Sequence, residues 1–345
     1  MTRMWSEIFE QPQALERCRK NNARILDEIA GLLNARQTDQ IVIAARGTSD
    51  HAAVYGKYVI EMLTGIPVTL AASSVFTMYG KSLKLHNALV IGISQSGRAA
   101  DVLEVLKAAN ASGALTVGIT NFADSPIACE VKYHLGCEAG LEKSVAATKT
   151  FTAQIYLLAS LAARWARDES LLRELDTVPG RIAKTLEEAP EVEKNAGRYR
   201  FMQECFVLAR GVNYAVSLES ALKIQETNYV RAKAFATSDF QHGPIAMLDR
   251  GIPVIVYAPD GPSLHDMTQM LSRLNEEQIE TLVVSNNPDV RAMGTCSFKI
   301  PETDNDMISP FFNAVIAQMF ACQVALARGN DPDNPRGLNK VTITK

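Results

Sequence analysis

The sequence predicts an α/β protein made of two tandem copies of one domain, each a parallel five-stranded sheet flanked by helices. Three observations carry this. Apolar, β-branched runs of strand length alternate with segments of helical period, which implies parallel pairing and sheets covered on both faces. In the first half a strand empties into a polar turn and then a helix twice, at residues 46–50 and again at 94–97. The pattern then restarts. The offset that carries Gly47 to Gly211 also carries Ile60 to Ile224, Ser74 to Ser238, Phe76 to Phe240, Val90-Ile91 to Val254-Ile255 and Gly97 to Gly261. An ungapped register over roughly fifty residues is better explained by duplication than by chance.

Taken in order, residues 1–34 read as a helical segment, with Leu15, Ile25, Ile29 and Leu33 at helical spacing. The first domain is expected over residues 35–166. It has strands near 40–45, 68–72, 89–93, 115–120 and 131–135, helices near 51–63 and 99–110, and a polar loop at 138–148 before an apolar helix at 151–165. Residues 167–199 turn charged and helical, a linker punctuated by Pro179 and Pro190. The second domain follows over 200–329, and residues 330–345 form a tail.

Composition excludes several classes. The chain has 345 residues, 47% of them apolar, enough for two cores. A net charge of −3 without a basic stripe argues against a nucleic-acid partner. No signal-like segment opens the chain and no apolar run approaches the ~18 residues of a membrane span, so a cytoplasmic protein with no membrane partner is expected. Six cysteines lack metal-like spacing and sit in apolar or strand-like contexts, so they read as reduced structural thiols; the five histidines do not cluster with them. Neither a metal nor a cofactor is expected.

The stretch that organises the chain is residues 89–101, LVIGISQSGRAAD. At the start of a helix the first backbone N–H groups lack intrahelical partners and the positive end of the helix dipole lies behind them. Ser94, Gln95 and Ser96 add side-chain donors, and Gly97 allows close approach, so the turn suits an anion, most simply a phosphate. An ordinary N-capped helix is the plainer alternative. The second copy has Ala258-Pro259-Asp260 at the corresponding place, which removes donors and adds a negative charge. Its polar residues lie elsewhere. Glu219, Lys223 and Glu226 share one helical face whose small and apolar neighbours indicate burial, though charges at this spacing also form solvated surface pairs. His242, in a His-Gly-Pro turn, has the side chain best suited to proton transfer near neutrality, or serves as a structural histidine.

Gly47-Thr48-Ser49, Ser94-Gln95-Ser96-Gly97, Ala147-Thr148-Lys149, Glu219-x-x-x-Lys223-x-x-Glu226, His242-Gly243-Pro244 and Asn334-Pro335-Arg336-Gly337-Leu338-Asn339-Lys340 together resemble the isomerase half of glucosamine-6-phosphate synthase. That half is two tandem sugar isomerase (SIS) domains, and the resemblance runs in order along nearly the whole chain. It implies a flavodoxin-like three-layer fold and a phosphorylated amino sugar as substrate. Gly47, Thr48, Ser49, Ser94, Gln95, Ser96, Glu142, Val145, Ala146 and Thr148 would bind that substrate. In the family, the residue matching Glu226 moves a proton between C1 and C2, that matching Lys223 supports it, and that matching Lys340 forms an imine with the open-chain sugar. The residue matching His242 assists ring opening from the neighbouring subunit, so a homodimer with shared sites and a tail that closes the site are implied.

Two departures refine the expectation. The chain enters the isomerase region without the family's glutaminase domain and its N-terminal cysteine, and Ser96-Gly97-Arg98-Ala99 stands where the synthase has Ser-Gly-Glu-Thr. This version of the turn is similar to that of stand-alone SIS-type glucosamine-6-phosphate deaminases, which release ammonia and fructose 6-phosphate. A phosphosugar aldose-ketose isomerase and an ammonia-fed synthase subunit remain alternatives. A non-catalytic phosphosugar sensor would have no use for Glu226, His242 and Lys340 together.

Overall fold

The computed structural model describes residues 2–340. The chain divides into two compact units. One comprises Gln11–Glu142, Lys149–Pro179 and the tail from Asn339; the other comprises the residues up to Glu10, Lys143–Thr148 and Gly180–Leu338. They are called here the first and second unit.

Helices α1 (Arg3–Phe9) and α2 (Gln11–Ala35) open the chain. The first unit then alternates β1 (Gln40–Ala44), α3 (Thr48–Thr64), β2 (Val68–Leu70), α4 (Ser74–Thr77), β3 (Ala88–Ile93), α5 (Ala100–Ala111), β4 (Leu115–Thr120), α6 (Pro126–Glu130), β5 (Tyr133–Gly136) and α7 (Lys149–Ala166). Its sheet has the order β2-β1-β3-β4-β5, with every pair parallel. β1 and β3 are buried along almost their whole length, as a sheet covered on both faces requires. Val42, Ala44 and Val90 pack with Val102, Val105 and Leu106 of α5 in the core on one face.

Helix α8 (Glu169–Leu186) carries Pro179 inside it, and α9 (Ala189–Ala196) has Pro190 in its first turn. The expectation that both prolines punctuate holds for Pro190 alone. A proline at the start of a helix forfeits no hydrogen bond, whereas one inside forfeits an i to i−4 bond. The buried stripe Leu171, Leu175, Val178 and Ile182 offsets that loss in α8.

The second unit repeats the first: β6 (Glu204–Ala209), α10 (Tyr214–Asn228), β7 (Arg231–Ala236), α11 (Thr237–Gln241), β8 (Val254–Tyr257), α12 (Leu264–Glu276), β9 (Thr281–Ser285), α13 (Pro288–Ala292), β10 (Cys296–Lys299) and α14 (Ser309–Ala327). Its all-parallel sheet, β7-β6-β8-β9-β10, has the same order of equivalent strands. Its core joins Leu208, Val254 and Val256 to Phe240, Met267 and Leu271.

Contrary to the sequence expectation, one helix is long and apolar enough to cross a membrane: α14, with a mean hydropathy of 1.5. Of its most apolar window 83% is buried inside the protein, so it is a core helix, apolar all round because it is surrounded. All six cysteines are free; five are buried, and Cys129 is exposed, unlike the apolar context read for it.

Candidate active site

In both sheets the order in which strands are added reverses between the first and third strands of the repeat, at β1/β3 and at β6/β8. Such switch points leave a crevice outside the carboxyl ends of the strands. In the first unit that crevice is flanked by Arg46–Ser49 after β1 and Ser94–Gly97 after β3, the two turns singled out from sequence.

The turn geometry explains its residues. Gly47 takes φ 54° and caps α3 without a side chain. Ser49 is buried and its Oγ accepts from Gln154 Nε2 of α7 at 3.0 Å. Ser94 is buried, with its N–H donating to the Ile119 carbonyl at 3.1 Å; Gln95 and Ser96 are half-buried, and Ser96 Oγ accepts from the Arg98 N–H at 3.3 Å. Gly97 has φ 64°, and a Cβ there would lie 2.0 Å from Ser125 Oγ, so no other residue fits without displacing the neighbouring turn. Helix α5 begins at Ala100 with Ala99 as its cap, whose side chain bonds no amide, and of its first-turn amides the Val102 N–H donates to Asp101 Oδ1 at 2.9 Å. The earlier amides of the turn stay available to an anion.

Sequence reasoning passed over Arg46. Its Nε lies 2.5 Å from Oδ2 of Asp101, a buried carboxylate in the first turn of α5, so the pair ties the exit of β1 to the helix after β3. The signal was available in the repeat: Arg210 follows β6 at the equivalent position and pairs with Asp266 of α12 at 3.2 Å.

Also in the first unit, Glu142 is buried, accepts from the Thr150 hydroxyl at 2.8 Å and from the Thr150 N–H at 3.3 Å, and receives the Lys340 ammonium at 2.9 Å. Lys340 is thus held although it stands in a Pro/Gly/Asn-rich tail. Its side chain keeps 24% exposure.

In the second unit α10 places Glu219, Lys223 and Glu226 together. Lys223 Nζ lies 3.3 Å from Glu219 and 2.6 Å from Glu226; the first two side chains are fully buried and Glu226 keeps 21% exposure. Burial alone would lower the Lys223 pKa, but the two carboxylates outweigh it and hold the ammonium above its ordinary value. The trio is a buried array and not a solvated face, and Glu226 is its wettest member. His242 is exposed and caps α11, its N–H donating to Asp239; no hydrogen bond or ion pair joins its side chain to the trio.

The segment Lys143–Thr148 is fixed within the second unit by Glu7 of α1. That buried carboxylate accepts from the Lys143 N–H at 2.5 Å and from both the N–H and hydroxyl of Ser144. Val145 N–H donates to Asp333 at 3.4 Å, Ala146 and Thr148 are fully buried, and the Thr148 carbonyl accepts from Gln318. Among the described residues no group of His, Cys, Asp and Glu could hold a metal ion.

Comparisons with known proteins agree with this architecture. A glutamine–fructose-6-phosphate aminotransferase [isomerizing] of Aquifex aeolicus is 36% identical over 346 residues, covering 99% of this chain and 57% of the relative, so the chain spans little more than half of that protein. A solved structure of a candidate phosphosugar isomerase from Silicibacter pomeroyi superposes with a TM-score of 0.87 at 31% identity, covering 96% of this chain and 100% of the other. The C-terminal domain of glucosamine-fructose-6-phosphate aminotransferase from Francisella tularensis shares the fold, with a TM-score of 0.87 at 24% identity over 97% of this chain and 98% of that domain. The SIS domain model matches residues 35–164 and 203–328, one match to each half of the repeat. With two such matches laid over two equivalent parallel sheets, the chain belongs to the SIS domain family.

Proposed function

We propose that this chain is a phosphosugar isomerase, and that its particular reaction is the isomerising deamination of glucosamine 6-phosphate. The observation that carries the first part is the donor-rich turn Ser94–Gly97 at the switch point of the first sheet, leading into a helix whose cap residue Ala99 bonds no amide with its side chain. Its hydroxyls, amide and backbone N–H groups suit a phosphate. Gly47, Thr48 and Ser49 supply the facing turn.

The buried Glu219-Lys223-Glu226 array supports proton transfer. Glu226 is the group with access to solvent, and Lys223 holds it in place. In the proposed reaction the amino sugar opens, with His242 assisting. Glu226 takes the proton from C2 and returns it to C1, leaving a C1 hydroxyl and a C2 imine. Lys340, as a free amine, would then add to C2 and displace ammonia, and water would hydrolyse the resulting imine to fructose 6-phosphate and free Lys340; Glu142 lies 2.9 Å from the Lys340 nitrogen. Exposed Arg98 and the hydroxyl-free cap Ala99 favour the deaminase version of the turn.

A second reading, formation of the amino sugar from fructose 6-phosphate, is supported by the likeness to the Aquifex glutamine–fructose-6-phosphate aminotransferase, and simple aldose-ketose exchange by the likeness to the Silicibacter candidate phosphosugar isomerase structure. One experiment separates them. Incubated with glucosamine 6-phosphate in deuterated water, the enzyme should release ammonia and leave fructose 6-phosphate; interconversion of sugars with nitrogen retained would replace the deaminase reading by the isomerase one. Glu226→Gln should lower kcat by about 10² to 10⁴, the usual worth of a general base, with little change in phosphate affinity.

The proposal includes a homodimer in which His242 serves the neighbouring subunit. A mixture of His242→Ala and Glu226→Gln chains should then regain activity that neither variant has. An active monomer in sedimentation experiments would sink that part.

A further inference from the structure

At the amino end of β6, within the second unit, Arg200, Phe201, Tyr229, Arg328 and Arg336 line an open cleft of about 400 Å³ together with Gln203 and Asn330. Three guanidinium groups face this cleft, no carboxylate lines it, and none of the three is ion-paired among the described residues. Each is nevertheless held. Arg328 Nη1 donates to the carbonyls of Arg200 and Met202 at 2.7 Å each. Arg336 stacks 4.1 Å over the Tyr229 ring, and its N–H donates to the Tyr229 hydroxyl at 2.9 Å. Arg200 lies 4.7 Å over the ring of Phe201, a large apolar side chain left 75% exposed.

A simpler account is that arginines gather where helices end, since α10 and α14 point their carboxyl ends here. Those two ends supply only about half a negative charge each. Against three guanidinium groups this leaves roughly two positive charges uncompensated, in a concave place, beside two aromatic rings. Like charges so arranged repel unless an anion joins them.

We propose that this cleft binds a phosphorylated ligand with a planar ring, of the nucleoside diphosphate class. The guanidinium groups take the phosphates as charge-assisted donors, and Phe201 offers its exposed ring to the base. The inference stands whether or not the Ser94–Gly97 turn takes a phosphosugar.

Isothermal titration of the full chain with ADP, pyrophosphate and adenosine tests it. ADP should bind most tightly, pyrophosphate less, adenosine least, and affinity for ADP should fall as salt rises. Arg200→Ala and Arg336→Ala should each weaken ADP about tenfold or more. Phe201→Ala should weaken ADP and leave pyrophosphate unchanged. Replacing Ser94 and Ser96 by Ala should not alter ADP binding. Absence of binding at millimolar ADP, indifference to both arginine variants, or loss of binding in the serine variant overturns the proposal. Equal affinity for ADP and pyrophosphate overturns the planar part of it.

Discussion

The two switch points are built on the same strands in the same order, yet they hold opposite chemistry. After β3 the chain reads Ser94-Gln95-Ser96-Gly97; at the equivalent place after β8 it reads Ala258-Pro259-Asp260-Gly261. In the second turn Asp260 is locked by Asn286 and Asn287, whose amides donate to its two oxygens at 2.8 Å each. The helices differ in the reverse sense. Glu219, Lys223 and Glu226 of α10 stand where α3 has Tyr55, Val59 and Met62, of which Tyr55 and Val59 are fully buried. Duplication kept the backbone, while hydroxyl and amide donors stand in the turn of one copy and a buried charged trio on the helix of the other. A buried position tolerates either an apolar side chain or a fully paired charge, so such an exchange needs no change of fold.

The largest expected effect lies in the first turn. Ser94→Ala combined with Ser96→Ala removes two hydrogen bonds to a charged group, each worth roughly 1.5 to 3 kcal/mol, and should raise KM for a phosphosugar by about 10² to 10⁴. Asp260→Ala in the equivalent turn should leave KM unaltered. Equal losses from the two turns, measured in one steady-state assay, would mean that the anion site is not confined to the first copy.

Next comes the buried array. Lys223→Ala strands Glu219 without its cation and should cost about 3 to 5 kcal/mol in urea unfolding. Val59→Ala, its counterpart, removes two methyl groups and should cost about 2 kcal/mol. Because folding raises the Lys223 pKa, its stabilisation is complete below its unfolded value of about 10.4 and is lost only as pH climbs through the folded value. Lys223 should therefore add no slope of its own to the wild-type unfolding free energy between about pH 6 and 9; a loss of its contribution inside that window would contradict the pairing.

The smallest effect tests the second turn. Asp306 lies against Gly261, where a Cβ would meet its Oδ1 at 2.5 Å. Burial pushes its pKa up to about 6, and the nearby Ser263 opposes the rise. Between about 4 and 6 the folded state then binds more protons than the unfolded one, so stability falls as pH rises through that range and levels off above it. At 1.36 kcal/mol per pH unit the loss is at most about 3 kcal/mol. Asp306→Asn should abolish this slope in denaturation curves taken from pH 4 to 7. An unchanged slope would assign it to other groups.

Much of this protein was legible in the sequence because local order is written at short range. The strand periods at residues 40–45, 89–93 and 115–120, the Gly47 and Gly97 turns, the offset between the copies and the shared face of Glu219, Lys223 and Glu226 all follow from spacings of two, three or four residues, or from a repeat. Other decisions belonged to the tertiary structure, because they depend on which distant groups meet. Sequence could not say that Arg46 would find Asp101, that Lys340 would be received by Glu142, or that Glu7 would hold the segment Lys143–Thr148. It read Pro179 as a break and took no apolar run for long enough to span a membrane. In the fold, the buried stripe of α8 carries the helix through its proline, and α14 is apolar on every side because protein covers every side. Short-range pattern specifies an element and its inner face. Whether a buried charge is paired, or an apolar helix surrounded, is settled only when chain segments tens to hundreds of residues apart are brought together.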